Sequence, residues 1–176
     1  MPALEQGLVQ VYTGEGKGKT TAALGLILRA TGWRFRSYLV QFMKHQHTGE
    51  NAALRLLAPH VTSEQFGRPG FLRPQEITPE DIALAHRGLE RAREVLSGGE
   101  YDLVVLDEVN TAVSFGLLRE EELLDVIAAK PRHVELVLTG RGAGSGILAA
   151  ADLVTRMVEE KHPYERGIGA RRGIEY

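Results

Sequence analysis

Short apolar runs rich in branched residues alternate along this chain with segments whose apolar positions recur every three or four residues. That alternation predicts βαβ units on a parallel sheet. The run LVQVY (8–12) reads as a first strand, and KTTAALGLILRATG (19–32) as a helix closed by Gly32. SYLVQFM (37–43) reads as a second strand, GENAALRLLA as a short helix stopped by Pro59, and HVTSEQF (60–66) as a third strand. GRPGFLRPQEI (67–77) is too rich in glycine and proline to be regular. A long helix follows, with Thr78 as its cap, Pro79 in its first turn, and Glu80 and Asp81 at the positive end of its dipole. Ile82, Ala85, Leu89, Ala92 and Leu96 fall on one face of it, and Gly98–Gly99 end it. YDLVVLDE (101–108) is the most strand-like run, apolar until it meets two acids. REEELLDVIAA then reads as a helix ended by Pro131, HVELVLTG as a strand, SGILAAA as a short helix and DLVTRMVEE as a last strand. The closing KHPYERGIGARRGIEY has no periodicity and reads as a solvated tail.

Composition narrows the class. The 176 residues suit one domain, 1–176, burying roughly 70% of its unfolded surface. A net charge of −2, with 25% charged residues, gives no field suited to DNA or an anionic membrane as the main partner. The absence of cysteine excludes disulfides, thiolate metal sites and cysteine nucleophiles. No apolar run approaches the ~20 residues that span a bilayer. The segment MPALEQGLVQV lacks the basic start and apolar core of a signal peptide. The expectation is a cytoplasmic protein with neither a nucleic acid nor a membrane as partner.

Between the first strand and the first helix stands TGEGKGKTT, one position away from the phosphate-binding pattern G-x-x-x-x-G-K-[ST]. Gly18, Lys19 and Thr20 fill its last three places, but Thr13 stands where the pattern has glycine, and Gly14 comes one residue late. Gly14, Gly16 and Gly18 let backbone N–H groups converge on phosphate oxygens, and the helix start adds its own. Lys19 supplies a cation and Thr20 a hydroxyl for Mg²⁺. The plainer reading is a glycine turn that binds nothing, but a strand, a loop and a helix in that order favour phosphate.

The strand ending in Asp107–Glu108 resembles a Walker B element, with carboxylates at the rim where a parallel sheet binds its ligands. Either acid suits a metal role; the plainer reading is a pair of helix-capping acids. TGRGAGSG (139–146) opens at the same rim and offers Arg141 to a phosphate. The six histidines are scattered, with His45 and His47 placed after the second strand and none in a metal-binding spacing.

Taken together, TGEGKGKTTAALG, VQFMKHQHTGE, GEYDLVVLDEVNTAVSFGLL, AAKPRHVELVLTGRG and ADLVTRMVEEKHPYERGIGARRGIEY, in this order, resemble the P-loop family of ATP:corrinoid adenosyltransferases nearly end to end. The resemblance implies an α/β, RecA-like P-loop NTPase fold, three layers around a mostly parallel sheet. It implies attack of a reduced corrinoid, Co(I), on the 5′ carbon of ATP with release of triphosphate. ATP and corrinoid are then substrates, Mg²⁺ or Mn²⁺ the metal, a flavin-dependent reductase a fitting electron source, and a homodimer the assembly.

Residue by residue, the resemblance places the triphosphate on Gly14, Glu15, Gly16, Lys17, Gly18, Lys19, Thr20 and Thr21, and the metal on Thr20, Asp107 and Glu108. It places Phe42–Lys44 and Gly49–Glu50 near the nucleotide. Lys19, Phe71 and Arg141 are the catalytic candidates, with Phe71 as the aromatic that displaces the corrinoid's lower ligand. ATP lies reversed in such sites, which suits the displaced glycines. Two features depart from the family: Arg73 stands where many relatives carry tryptophan, and only six residues precede Gly7, so cover for the site is expected from elsewhere, such as a partner chain. Two other classes share some of these motifs: a RecA-like ATPase or helicase-type motor, and a nucleotide-gated binding module without chemistry.

Overall fold

The computed structural model describes residues 4–176. The first three residues of the segment read as lacking a signal peptide lie outside that range. Six strands form one sheet: β1 (Val9–Thr13), β2 (Ser37–Phe42), β3 (Val61–Phe66), β4 (Leu103–Asp107), β5 (Glu135–Thr139) and β6 (Leu153–Arg156). Their order is β3-β2-β4-β5-β1-β6, and every neighbouring pair is parallel. The sheet expected to be mostly parallel is parallel throughout. β5 separates β1 from β4, so the glycine loop after β1 and the acids after β4 open at one rim on either side of it.

Helices supply the crossovers that parallel strands need: α1 (Lys19–Gly32), α2 (Gly49–Arg55), α3 (Pro79–Ser97), α4 (Val109–Ser114), α5 (Glu120–Ala128) and α6 (Ser145–Ala150). β2 and β4 are buried at every residue, which explains the continuous apolar runs Tyr38–Val40 and Leu103–Leu106 at their centres. Their side chains alternate between two cores. Val104 and Leu106 join Phe42, Leu89, Leu123 and Ile147 on one face, while Leu103 and Val105 join Ala23, Ile27 and Leu54 on the other. The result is three layers, with α1 and α2 on one side and α3, α5 and α6 on the other.

The long helix starts as its sequence predicts. The Thr78 hydroxyl accepts from the Asp81 amide, and the Asp81 carboxylate accepts from the Thr78 amide at 2.8 Å. Ile82 of its expected core face is 37% exposed, because the buried stripe runs instead through Asp81, Ala85, Gly88, Leu89 and Ala92.

Other expectations shift. Gly32 does not close α1; it is the last helical residue, Trp33 is the cap, and Arg34 takes the left-handed conformation at φ 61°. α2 ends at Arg55, before the turns that lead to Pro59. α4, hidden in the sequence behind the two acids, begins directly after Glu108. The tail is not simply solvated: Ile174 and Glu175 line the cleft at the strand ends.

Truncating Leu106, fully buried in the central strand β4, removes contacts that a close-packed sheet cannot refill. Leu106→Ala is expected to cost about 2–5 kcal/mol in unfolding free energy by urea titration. A cost under 1 kcal/mol would contradict the packing described.

Candidate functional site

The loop after β1 is held by its neighbours before any ligand arrives. Gly14 and Gly18 take φ of 97° and 119°, conformations that favour glycine. The Gly16 amide donates to the Met157 carbonyl at 2.8 Å, and the Met157 amide donates to the Thr13 carbonyl at 2.8 Å. A Cβ on Gly14 or Gly16 would come within 2.4 or 2.7 Å of the backbone at Met157 or Val158. Part of the glycine pattern therefore reflects chain packing, and the Gly16 N–H, expected in a phosphate nest, is already engaged. Lys19 is buried and folds back under the loop, donating to the Gly14 and Gly16 carbonyls at 2.7 Å each. Burial, with Arg141 nearby, pulls its ammonium below the ordinary lysine value.

Asp107 is the hub beneath this loop. It is wholly buried at the end of β4 and accepts four hydrogen bonds. Oδ1 takes the Thr20 hydroxyl at 2.8 Å and the Thr139 hydroxyl at 2.7 Å. Oδ2 takes the Lys44 ammonium at 2.7 Å and the Gln41 amide at 3.2 Å. Burial alone would raise its pKa. The Lys44 charge and the bonds from Lys44, Thr139 and Thr20 outweigh that and hold the carboxyl below its usual range. Burial likewise pulls Lys44 down, but Asp107 more than offsets it and the net shift is upward.

Glu108 turns the chain out of β4 in the left-handed region, φ 62°. Its amide donates to Thr139 Oγ1 at 2.9 Å, and its Oε2 accepts from the Thr111 hydroxyl at 2.6 Å. Thr111 Oγ1 in turn accepts the Arg141 amide at 2.9 Å. Gly140 makes this approach possible: at φ 130°, a Cβ there would meet the Thr111 amide nitrogen at 2.7 Å. The Arg141 guanidinium reaches the Glu15 carboxylate and carbonyl, each at 3.3 Å.

These groups share a cleft of about 690 Å³. Residues 15–21, Lys44, Glu108, Thr111 and Arg141 line it, and Phe71 and Phe115 form part of its apolar wall. Phe71 is 85% exposed at the tip of its loop. The base of that loop is fixed: Leu72 is buried, and Arg68 reaches Asp81 at 2.8 Å and the Glu76 carbonyl at 2.7 Å. Arg73 pairs with Glu76 at 3.7 Å on the surface.

Of the residues expected from the sequence, Glu15 to Thr21, Lys44, Phe71, Glu108 and Arg141 line the cleft, whereas Gly14, Gly49 and Glu50 do not and Phe42 is packed in the core. Thr20 and Glu108 line the cleft, whereas Asp107 lies behind Thr20. Among the described residues no group of three or more histidines or carboxylates could enclose a metal. An ion here would complete its shell with substrate oxygens, as Mg²⁺ does at phosphates. The residue pattern alone left Lys44, Gln41, Thr111, Thr139 and Glu175 unassigned. A lysine just past a parallel strand, and polar residues within apolar ones, are signals that could have found the first four. Nothing in the aperiodic tail pointed to Glu175.

A family model described as ATP:corrinoid adenosyltransferase BtuR/CobO/CobP matches residues 5–176. The chain is 38% identical over 173 residues to a corrinoid adenosyltransferase of Pseudomonas aeruginosa, covering 98% of this chain and 85% of that protein. It is 36% identical over 172 residues to the corrinoid adenosyltransferase CobA of Salmonella typhimurium, covering 98% and 87%. With the corrinoid adenosyltransferase of Escherichia coli K12 the identity is 35% over 172 residues, again covering 98% and 87%.

The Lys44–Asp107 pair makes the slope of stability against pH a test of the site. In the wild type, Asp107 has a depressed pKa, so its contribution is present above the unfolded value of ~4 and lost as pH falls through the lower folded value. Lys44→Met leaves the carboxylate buried without its cation, which is expected to cost about 3 kcal/mol at pH 7. Burial then dominates and raises the folded pKa, so the variant should gain stability as pH falls from 7 towards 5. Urea titrations across that range check the sign; parallel curves for both proteins would refute the pairing.

Proposed function

The chain belongs to the ATP:corrinoid adenosyltransferase family, and on that premise we propose that its cleft transfers the 5′-deoxyadenosyl group of ATP to a reduced corrinoid. The enzyme acts in cobalamin biosynthesis. The observation that carries the site assignment is that the glycine loop, Glu108 and the exposed Phe71 line one cleft, with Asp107 bonded to Thr20 behind it.

The hard chemistry belongs to the substrate: the Co(I) electron pair forms the bond to C5′, the C5′–O bond breaks, and its electrons leave with the triphosphate. The protein holds the phosphates, neutralises their growing charge and aims C5′. Two of the three Lys19 ammonium protons are used by Gly14 and Gly16, leaving one for a phosphate oxygen. Lys17 and Arg141 add charge at the loop's edges, and Gly18, Thr20 and Thr21 bring their amides. Thr20 donates its hydroxyl proton to Asp107 and so keeps its lone pairs free for Mg²⁺ or Mn²⁺, with Glu108 as the carboxylate on the cleft side. Such an ion screens the charge of the triphosphate. Asp107 orients Thr20 and Lys44 from behind.

Phe71 fits the role of an apolar wedge against the corrinoid's lower face, on a loop whose base is pinned and whose tip is free. Among the described residues no helix is long and apolar enough to cross a membrane. A cytoplasmic homodimer, supplied with electrons by a flavin-dependent reductase, completes the proposal by resemblance to the family.

Phosphorus NMR on a completed reaction tests the bond that breaks. Stoichiometric triphosphate beside adenosyl-corrinoid is expected; ADP and phosphate formed without corrinoid would instead indicate an ATPase. Lys19→Ala is expected to stay folded and lose ~10²–10³ in transfer rate, and near-wild-type turnover would move the triphosphate elsewhere. Phe71→Ala should slow adenosylation that starts from Co(II) with a biological reductant far more than that from ready-made Co(I). Equal losses in both assays would make Phe71 a packing residue.

A further inference from the structure

We propose that Glu175 is a positioning residue of this cleft: it holds Lys17 in the free enzyme and yields that lysine to the incoming triphosphate, which releases the tail 171–176 from the cleft mouth. The inference rests on the reading of Lys17 as a triphosphate contact.

Four observations carry it. Lys17 Nζ lies 2.8 Å from Glu175 Oε1, an ion pair within the lining of the cleft. The carboxylate is also gripped from its own side. Oε1 accepts from the Arg171 guanidinium at 3.1 Å, and Oε2 accepts from the Arg171 amide at 2.7 Å and its Nε at 3.2 Å. Gly173 closes the turn by donating its amide to the Tyr176 carbonyl at 2.7 Å. On the far wall, a Cβ on Gly49 would stand 3.8 Å from that same Tyr176 oxygen, so the tail spans from the glycine loop to the start of α2.

The chemistry sets the direction of the exchange. Arg171 and Lys17 pull the Glu175 carboxyl down to about 2, so it is an anion at any working pH. It therefore occupies a lysine that a polyphosphate also needs, and two anions on one lysine repel. Triphosphate carries several charges to the carboxylate's one, so it competes more strongly for the lysine. Glu175 loses little by leaving, because Arg171 travels with it as a counterion. The pair is part-exposed, with side-chain accessibilities of 47% and 22%. An exposed ion pair is weak, so its competition should change triphosphate affinity only about two- to five-fold.

The test uses the full chain with inorganic triphosphate as the probe and no corrinoid. Calorimetry gives the affinity, and the rate of trypsin cleavage after Arg171 and Arg172, read by mass spectrometry, reports the tail. In the wild type, triphosphate is expected to speed that cleavage. Glu175→Gln should bind triphosphate about two- to five-fold more tightly and be cleaved fast with or without it. Glu175→Asp should restore part of the wild-type ligand dependence. Triphosphate that protects the tail, with weaker binding by Glu175→Gln, would overturn the proposal in favour of a tail that closes on the ligand. Unchanged affinity and cleavage in Glu175→Gln would reduce the contact to an inert surface pair. If the wild type binds triphosphate and Lys17→Met binds it equally well, the reading of Lys17 itself fails, and the inference with it.

Discussion

A single carboxylate, buried where water cannot reach it, sets the geometry around it. An unpaired anion inside a protein is costly enough that it is either neutralised or surrounded by donors. Asp107 is surrounded. Its four donors come from four places: Thr20 in the first turn of α1, Gln41 in β2, Lys44 just beyond β2, and Thr139 at the end of β5. Each bond fixes one wall of the cleft relative to β4. The helix that follows the glycine loop cannot slide along the sheet without breaking the Thr20 contact, and the turn after β5 cannot move without breaking the Thr139 contact. Thr139 also accepts the Glu108 amide, so the position of the half-buried acid is set by the bonding of the buried one.

The same economy explains the shifted glycines. A glycine loop that only cradled phosphate would need its amides free. Here Gly16 spends its amide on Met157, and Gly14 and Gly16 are small because the chain leaving β6 passes against them. β6 is an edge strand, paired only with β1, and its continuation braces the outer side of the loop. The anion-binding surface is consequently narrower than in a loop with every amide turned inward. On the proposed reading it is concentrated at Lys17–Thr21 and supplemented by cations from elsewhere in the chain.

Much of this was legible in the sequence, for physical reasons. Strands buried on both faces leave unbroken apolar runs, so β2, β4 and β5 declared themselves. Thr78 as a cap, Pro79 and the acids Glu80 and Asp81 declared α3. α4 did not, because a short helix that begins inside a motif has no room to display a period. Gly32 misled because the chain reversed two residues later, at Arg34, a residue that seldom takes a positive φ. At the site, the glycine loop and the acidic pair were readable because their chemistry depends on local spacing. The partners of Asp107 were not, since Gln41, Lys44 and Thr139 lie 66, 63 and 32 residues from it in the chain. Only the sheet order brings them together. Glu175 is the extreme case, meeting Lys17 across 158 residues from a segment with no pattern of its own.

Charge placement, finally, fits the proposed alkyl transfer at this rim. The acid on the cleft side is anchored through one carboxylate oxygen, which leaves the other for a cation. Glu108 is held by the Thr111 hydroxyl, and Thr111 is held by the Arg141 amide, so that acid is part of the frame connecting α4 to the turn after β5. Beside it the cleft presents a set of cations at different depths: Lys19 beneath the loop, Lys44 against Asp107, and Lys17 and Arg141 at the edge, each with an anionic or carbonyl partner already in place. In the proposed role, Lys19, Lys44 and Arg141 would meet a leaving polyanion already oriented by the contacts they hold, while Lys17 exchanges its partner. On the proposed reaction, the phosphate chain departs intact and spreads its charge over several oxygens at once. A distributed array of partnered cations meets that demand better than one strong charge beside a single phosphate, and the open apolar side at Phe71 leaves room for the nucleophile.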